Sequence, residues 1–552
     1  MGATATRLRL PRPRLARAAP ESGWTGVALL VGVAVVLCAT AVFGAGGIRL
    51  RDTTPVELGL TVLGIGLAAL AALRGSGPVR LYGSLTLLTL AALAALTAIS
   101  IAWSVEPSDS WTEANRTLAY LATFTGGMAV ARLAPGRWNA FLGGLLLGGA
   151  TICAYAVATK VFPGSLDPDA IVSRLRAPFE YWNAIGVVAA MTVPLALWLG
   201  ARRSGHGAVN ALAYPALGLA LITILMAYSR GALLAAGVGA LGWFGFVPLR
   251  LRGVVVLATS SAGAALVVLW ALSQDGLTAE RLPIGLRSEA GTELGVLLVG
   301  MGLVLAAVGA GLSFWMARRA IGARARRRLG VAVAILVALA LVGGGTAVAL
   351  ASGGLSGTWS SLTDPNAAVP DNGPDRLTSA GSVRARYWRD ALEIFGADPV
   401  AGSGAGAYAT VRLRYREDRA LVRHAHGYAV QTLADLGLLG LLLSLAAAVA
   451  WLLAAARTTA LRPRRWDFWR RDLPTPPGPP WTAERVAMVT LAAVVVTFGV
   501  HSLVDWTWFV PGSAVFALLA AGWVAARGPL DGELSDPVED VDSARGGVTS
   551  TG

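Results

Sequence analysis

Runs of about 20 apolar residues recur along most of this chain, and they constrain its fold more than any other feature. A run of that length can cross the roughly 30 Å hydrocarbon core of a bilayer as an α-helix. The composition agrees, because 55% of the 552 residues are hydrophobic and only 14% are charged, whereas soluble domains carry about 25% charged residues. The sequence therefore predicts an all-α, polytopic integral membrane protein.

The apolar runs predict about 14 transmembrane helices, within a range of about 12–14. The predicted spans lie at roughly 24–46, 56–73, 81–103, 117–133, 138–160, 181–200, 208–227, 230–249, 253–272, 293–317, 329–351, 427–456, 484–505 and 508–526. Between the eleventh and twelfth spans lies a long polar segment, residues 352–426, which we call the outer loop.

The positions of the arginines predict the orientation of these spans. Most of them fall in short connections that alternate along the chain with connections poorer in arginine, and the positive-inside rule places the arginine-rich ones in the cytoplasm. The net charge of +14 thus reflects membrane orientation rather than nucleic-acid binding. Both termini are then cytoplasmic, and the outer loop faces the periplasm or the cell exterior.

Five regions follow from this topology. A basic cytoplasmic tail covers residues 1–23, helices one to eleven cover 24–351, and the outer loop covers 352–426. The last three helices cover 427–526, and an acidic cytoplasmic tail covers 527–552, whose composition is typical of disorder. We expect short helices within the outer loop.

The outer loop carries two patterns with helical spacing. Residues 382–395 predict a helix on which Arg384 and Trp388 are one turn apart, followed by a glycine-rich run, GADPVAGSGAGAY. Four arginines then recur at spacings that place them on one helical stripe, namely Arg412, Arg416, Arg419 and Arg423. Such a stripe is suited to binding a diphosphate or to lying on lipid headgroups, and the sequence leaves both open.

Histidines and a helix start supply the other candidates for chemistry. His426 lies where the chain re-enters the membrane, so its imidazole is suited to accepting a proton, and His424 is the competing candidate. Ser229 is a good N-cap for the following helix, and Arg230 beside it is suited to binding phosphate. We interpret His501 and Asp505, four residues apart, as a structural polar pair. No metal site and no cofactor site are predicted.

Several motifs together resemble the O-antigen ligase and O-antigen polymerase family, and the resemblance covers roughly residues 100–510. The motifs, in chain order, are RLRAPFEYWNAIG (174–186), YSRGALLA, the Arg384–Trp388 helix with DPVAGSGAGAY, HAHGYAVQTLADLGLLGLLL (424–443) and HSLVDWTW (501–508). The family usually has Ala-His-Asn where this chain has Ala425-His426-Gly427.

The resemblance implies a metal-independent, inverting glycosyltransferase in the cytoplasmic membrane. Its donor would be an undecaprenyl-diphosphate-linked oligosaccharide, its acceptor a glycan or lipid-glycan hydroxyl, and its active site would face the periplasm or exterior. The implied catalytic residues are His426, Arg230 and Arg384. The residues expected to bind substrate are Arg174, Arg176, Trp388, Arg412, Arg416, Arg423, His424 and Tyr428.

Two questions remain open at the level of sequence. Ligase and polymerase use the same donor chemistry and differ only in the acceptor. The alternative function is a membrane transporter, either a polysaccharide flippase or an ion transporter, without glycosyl-transfer activity. A flippase is expected to show two similar halves, which this sequence lacks.

Overall fold

The structure is a computed structural model, and it describes residues 23–74, 81–318, 353–368, 371–461 and 481–530, with isolated positions between 324 and 350. Within these residues the regular elements are helices. The longer helices are α1 (Gly23–Val42), α2 (Leu50–Arg74), α3 (Ser84–Ile99), α4 (Pro107–Leu133), α5 (Trp138–Val161), α6 (Trp182–Ala201), α7 (Ala213–Met226), α8 (Arg230–Phe246), α9 (Arg250–Leu272), α10 (Ile284–Arg318), α11 (Gly354–Thr363), α12 (Arg384–Ala397), α13 (Tyr428–Thr458), α14 (Ala483–Val504) and α15 (Pro511–Arg527).

Short helical turns fill many of the connections. The α-helical ones are Gly44–Gly47, Pro163–Leu166, Gly207–Ala211, Asp275–Thr278 and Tyr408–Val411. The 3₁₀ turns are Ser100–Ala102, Pro135–Arg137, Pro374–Leu377, Arg412–Arg414 and Thr507–Phe509. The prediction of an all-helical fold with short helices in the outer loop is therefore confirmed for the described residues.

Ten of the described helices are long and apolar enough to cross a membrane, and α8 and α15 are shorter apolar helices. Thirteen of the predicted spans each overlap a different helix of the structure. These helices are the ten just mentioned, the shorter α8 and α15, and α4. Most of the remaining span, 329–351, and most of both terminal tails lie outside the described residues. The multi-pass architecture is confirmed, whereas the count of 14 and the orientation stay predictions.

Helix α6 forms the centre of the bundle. Every residue from Asn183 to Ala201 is buried, and α5, α7, α8 and α14 pack around it. The first turn of this helix therefore places polar groups such as Asn183 inside protein rather than in lipid. A polar group so placed needs hydrogen-bond partners, because burial without them costs free energy.

Small residues bring other helices into close contact. A side chain at Gly64 of α2 would collide with the carbonyl of Ala122 on α4, and one at Gly522 of α15 would collide with the carbonyl of Phe124. Close backbone approach at small residues is typical of helix packing in membranes. Lipid tails are as apolar as apolar side chains, so van der Waals packing rather than the hydrophobic effect holds the helices together.

Two hydrogen bonds join connections that the predicted topology assigns to the same side of the membrane. The amide of Val105, in a connection assigned outside, donates to the Ser403 carbonyl of the outer loop at 2.9 Å. At the other end, Arg252 donates to the carbonyl of Arg202 at 3.1 Å, which joins two connections assigned inside. The connection that contains Val105 thus contacts the outer loop, as the predicted topology requires.

The predicted arginine stripe is wrong. The chain forms one α-turn and one 3₁₀ turn over Tyr408–Arg414 and then leaves helical geometry, so Arg412 and Arg423 share no helical face. Arg412 is buried and forms ion pairs with Asp390 and Asp418, at 2.8 and 2.9 Å. The helical turns end at Arg414, so the spacing of the later arginines has no structural counterpart. The direction of the Arg412 side chain is determined by the buried carboxylate of Asp390 on α12.

Replacing Arg412 by Met is expected to lower the free energy of unfolding by up to about 3 kcal/mol, because the buried Asp390 then keeps only Arg389 as a cation and Asp418 loses one of its partners. Thermal unfolding of the purified protein in detergent measures this loss. Arg414→Met is the matched control, since Arg414 is an exposed arginine of the same turn. Equal effects of the two substitutions would contradict the assignment of Arg412 to the interior of the loop.

Candidate active site

Helix α12 carries Arg384 and Trp388 and is fixed through its inner face. Tyr387 and Ile394 are buried on that face, which confirms the helical pattern predicted for this stretch. The indole Nε1 of Trp388 donates to the backbone carbonyl of His426 at 3.3 Å. The helix thus touches the segment that returns the chain to the membrane.

The glycine-rich run after α12 clamps the outer loop to α13. The Tyr408 amide donates to the Asp435 carboxylate, and the Gly404 amide donates to the Asp435 carbonyl, both at 2.9 Å. Gly404 has φ +103°, and a Cβ at this position would collide with Ser104. Glycine is required here because the backbone is left-handed and lies against the α3–α4 connection.

Asp505 is the centre of the polar site. Its side chain is completely buried and lies just beyond the end of α14. Arg384 Nη2 and Asn183 Nδ2 both donate to Oδ2 at 2.7 Å, and the hydroxyl of Tyr181 donates to Oδ1 at 2.5 Å. The carboxylate therefore joins the start of α6, helix α12 and the end of α14.

The electrostatic surroundings keep Asp505 ionised. Burial would raise the pKa of its carboxyl, but the imidazole of His426 and the charge of Arg384 outweigh burial and hold the pKa well below its usual range. His426 Nδ1 lies 3.8 Å from Oδ2 of Asp505. The carboxylate thus favours an Nδ1–H tautomer of His426, which leaves Nε2 as the nitrogen available to accept a proton.

Ser229 extends this network to α8. Its Oγ donates to the side-chain oxygen of Asn183 at 2.8 Å and accepts from the amide of Ala232 at 3.3 Å. The predicted N-cap is therefore confirmed. Asn183 bonds Ser229 on one side and Asp505 on the other, so the start of α8 is positioned by the same carboxylate.

Arg230, the first residue of α8, holds the segment that leads into α12. Its guanidinium donates to the carbonyls of Ser379 and Gly381, the latter at 2.8 Å. Carbonyl groups carry no net charge, so the positive charge of Arg230 is not neutralised by these two bonds.

Four guanidinium groups near this network act on one another electrostatically, and we call them the arginine group: Arg174, Arg230, Arg376 and Arg384. Their charges act on one another, since Arg376 affects both Arg174 and Arg230, and Arg384 affects both Arg230 and Arg376. Arg174 Nη1 and Arg384 Nε are buried without a hydrogen-bond partner. An accumulation of positive charge with unused donors is suited to binding an anion.

Arg174 shows the electrostatic cost of this arrangement. It donates to the carbonyls of Ala227 and Tyr228, at 3.0 and 3.2 Å, and lies 4.1 Å from the ring centre of Trp182. Burial, together with the charge of Arg376, lowers its pKa to about 9. An anion placed among these groups would relieve the repulsion that lowers this pKa.

The two histidines of the outer loop have different surroundings. His424 is stacked between Trp506 and Phe509, with ring centres 4.6 and 4.8 Å away, and its Nδ1 lies 3.2 Å from Gln431 Nε2. Burial and the nearby charge of an arginine lower the pKa of His424 well below its usual value, so it is neutral at pH 7. His426 faces Asp505 instead, which makes it the better candidate for proton transfer.

The backbone at His426 is unusual as well. Its φ of +54° lies in the left-handed region, which non-glycine residues rarely adopt. Gly427 follows, and a Cβ there would lie 3.0 Å from Trp388 Nε1 and 3.1 Å from the carbonyl of Leu503. This close approach leaves little room for a side chain at position 427.

The other predicted substrate-binding residues lie in separate contacts. Arg176 forms an ion pair with Asp167 at 3.2 Å, and Arg416 donates to a backbone carbonyl of its own turn at 3.1 Å. The hydroxyl of Tyr428 is 2.7 Å from Ser444 Oγ within α13. None of these contacts joins them to the arginine group, and their roles in substrate binding stay predictions.

A cleft of about 400 Å³ opens beside His426. One side is formed by Tyr387, His424, His426, Trp506 and Phe509, and the other by residues of α4 that include Asp109, Thr112, Glu113 and Arg116. None of the arginine group is among its lining residues. Two regions of different chemistry therefore border the same histidine.

Among the described residues, no group of three or more His, Cys, Asp or Glu side chains is placed to hold a metal ion. The polar groups that converge on this site are guanidiniums, an imidazole, an amide and a buried carboxylate.

These features define a multi-pass helical membrane protein with a guanidinium-rich site at one end of its bundle. Residues 294–445, less than half of the chain, match the family model described as O-antigen ligase, and this match confirms the predicted resemblance. No curated protein matches the chain. The family and the apolar helices together support a membrane enzyme that transfers glycans, with lipid-linked glycans as the substrate class that the family implies.

Sequence reasoning missed Asp505 as a site residue, as well as Tyr181, Asn183 and Arg376. The spacing of His501 and Asp505 predicts a shared helical face, but α14 ends at Val504 and Asp505 is extended, with φ −151°. His501 Nδ1 instead lies 2.9 Å from Thr507 Oγ1. The available signal was the Tyr-Trp-Asn run at the start of an apolar span, where polar side chains must find partners.

Replacing Asp505 by Asn is expected to lower glycan transfer about 10²-fold, because Arg384 and His426 lose the charge that orients them. The effect should persist across neutral pH, since Asp505 remains ionised there. Its depressed pKa stabilises the fold above the unfolded value of about 3.9, and this stabilisation is lost as the pH falls further. Transfer rates and thermal unfolding at several pH values measure both effects, with the half-exposed Glu393→Gln as control.

Replacing Gly427 by Ala is expected to slow transfer, because the added methyl group pushes Trp388 away from the His426 carbonyl. The matched control is Gly499→Ala on α14, where a Cβ meets nothing within 4 Å. Initial transfer rates of the two variants, at equal amounts of inserted protein, provide the comparison. Full activity of Gly427→Ala would show that this contact does not position His426.

Proposed function

We propose that this protein transfers a glycan from an undecaprenyl-diphosphate carrier to an acceptor hydroxyl on the outer side of the cytoplasmic membrane. The transfer is metal-independent and inverts the anomeric centre. The observation that carries the proposal is the buried carboxylate of Asp505, which contacts Arg384 of the arginine group and lies 3.8 Å from Nδ1 of His426, so that groups suited to anion binding and to proton transfer are adjacent. The match to the O-antigen ligase family model supports the same class of reaction.

The arginine group would bind the diphosphate of the donor. As the glycosidic bond breaks, negative charge grows on the departing diphosphate, and guanidiniums placed beforehand stabilise that charge. Arg174 and Arg384 each retain a buried nitrogen without a hydrogen-bond partner, which a phosphate oxygen would satisfy. The guanidiniums would supply the positive charge that a metal ion supplies in other enzymes of phosphate-bearing substrates.

His426 would act as the general base. The acceptor oxygen attacks the anomeric carbon, its proton passes to Nε2 of His426, and the bond between that carbon and the diphosphate oxygen breaks with both electrons going to the leaving group. Asp505 stabilises the imidazolium that forms, because its Oδ2 lies 3.8 Å from Nδ1. A single displacement opposite the leaving group inverts the anomeric centre.

His426→Gln is expected to reduce transfer by about 10²–10⁴-fold, the usual contribution of a general base. The measurement is product formation from a lipid-linked oligosaccharide in proteoliposomes, and His206→Gln, at an exposed histidine distant in sequence, is the control. Retention of full transfer by a correctly inserted His426→Gln variant would overturn the assignment.

Arg230→Ala and Arg384→Ala are expected to weaken binding of undecaprenyl diphosphate by at least tenfold, since a charge-assisted hydrogen bond contributes about 1.5–3 kcal/mol. Arg414→Ala, an exposed arginine of the same loop, serves as control. Proteoliposomes also distinguish the enzyme from the alternative function, a transporter. A transporter would move the glycan or ions across the membrane without forming a glycosidic bond.

A further inference from the structure

The cleft beside His426 has the chemistry of a sugar-binding surface. Trp506, Tyr387 and Phe509 line one side with aromatic rings. Aromatic rings provide rigid apolar area for the C–H faces of a pyranose. Across the cleft, Asp109 and Thr112 offer groups that accept or donate hydrogen bonds to hydroxyls.

The charges that line this cleft are paired with each other. Asp109 lies 3.8 Å from the guanidinium of Arg423, and Glu113 forms an ion pair with Arg116. Arg116 also lies 3.7 Å from Glu57 of α2. Each positive charge of the lining thus has a carboxylate beside it, and an added anion would meet those carboxylates.

The arginine group differs sharply in this respect. There, Arg174 and Arg230 donate to uncharged backbone carbonyls, and the charge of Asp505 is shared between Arg384 and His426. An anionic substrate group is therefore attracted to the arginine group, whereas an uncharged group lies in the cleft without electrostatic cost. His426 borders the cleft and contacts Asp505, so it lies between the two regions.

We propose that the cleft between α4 and the aromatic residues around His426 is the acceptor subsite, and that it selects an uncharged, polyhydroxylated glycan over one bearing phosphate or carboxylate groups. The proposal rests on the proposed function and deepens it. An acceptor seated in the cleft, in contact with Tyr387 and Trp506, presents a hydroxyl to His426, while the diphosphate is held by the arginine group. The proposal thereby specifies the charge of the acceptor.

A cleft-filling variant tests the position of the subsite. Ala409 lines the cleft and lies outside both the arginine group and the histidines, so Ala409→Trp occupies the space a sugar would take. The full-length protein in nanodiscs is applied to a glycan array carrying neutral glycans and matched glycans bearing uronic acids or phosphates. We expect the wild type to retain neutral glycans and Ala409→Trp to retain them at least tenfold less.

Asp109→Asn provides a second variant with little change of volume, in case the larger substitution disturbs folding. It removes a charged hydrogen-bond acceptor, and a loss of about tenfold in neutral-glycan binding is expected. Asp275→Asn, an exposed aspartate in another connection assigned outside, is the control. Thermal unfolding of each variant verifies that the fold is retained.

Binding of fluorescent undecaprenyl diphosphate is measured on the same samples. The proposal expects Ala409→Trp and Asp109→Asn to leave it unchanged, while Arg384→Ala weakens it. Weaker diphosphate binding in the cleft variants would show that the cleft holds the donor, and preferential retention of anionic glycans, or of no glycan, would overturn the proposal. Unchanged diphosphate binding in Arg384→Ala would instead count against the proposed function alone.

Discussion

The buried carboxylate of Asp505 is the interaction on which the site depends. A charge removed from water costs several kcal/mol unless cations and hydrogen-bond donors replace the solvent. Here the replacements come from separate parts of the chain: Tyr181 and Asn183 before and within the first turn of α6, and Arg384 on α12. Satisfying one carboxylate therefore fixes how the outer loop sits on the membrane bundle.

The same carboxylate divides the site into two electrostatic regions. The arginine group contains positive charges whose neighbours are largely backbone carbonyls, so repulsion among them remains in the absence of a ligand. The cleft across His426 contains carboxylates and guanidiniums in pairs. The proposed transfer, from a charged leaving group to a neutral nucleophile, would benefit from such a division, because the diphosphate is attracted to the arginine group and not to the cleft.

Much of the fold could be predicted from the sequence, because membrane spans depend on length and apolarity, which are local properties. The helix around Arg384 and the N-cap at Ser229 were predictable for the same reason. The arginine stripe failed because helical spacing cannot show where a helix ends. Arg412 turns inward toward Asp390, a contact that helical spacing does not reveal.

Asp505 could not be assigned for a related reason. Its partners are 121 residues away at Arg384 and 322 residues away at Asn183, and no spacing rule connects such positions. The sequence does show polar side chains next to apolar spans, and burying such side chains without hydrogen-bond partners costs free energy. Hydrogen bonds that form only in the folded bundle supply these partners, and they link Tyr181, Asn183, Ser229 and Asp505 to one another.

The backbone at His426 is strained, and this strain is related to the position of its imidazole. A left-handed conformation costs roughly 1–2 kcal/mol for a residue with a side chain and persists only where surrounding contacts impose it. Those contacts are visible: Trp388 holds the His426 carbonyl, and Gly427 allows the chain to pass close to Leu503 before α13 begins. The conformation keeps the imidazole beside Asp505 and in the wall of the cleft. The histidine is therefore positioned by contacts within the fold itself.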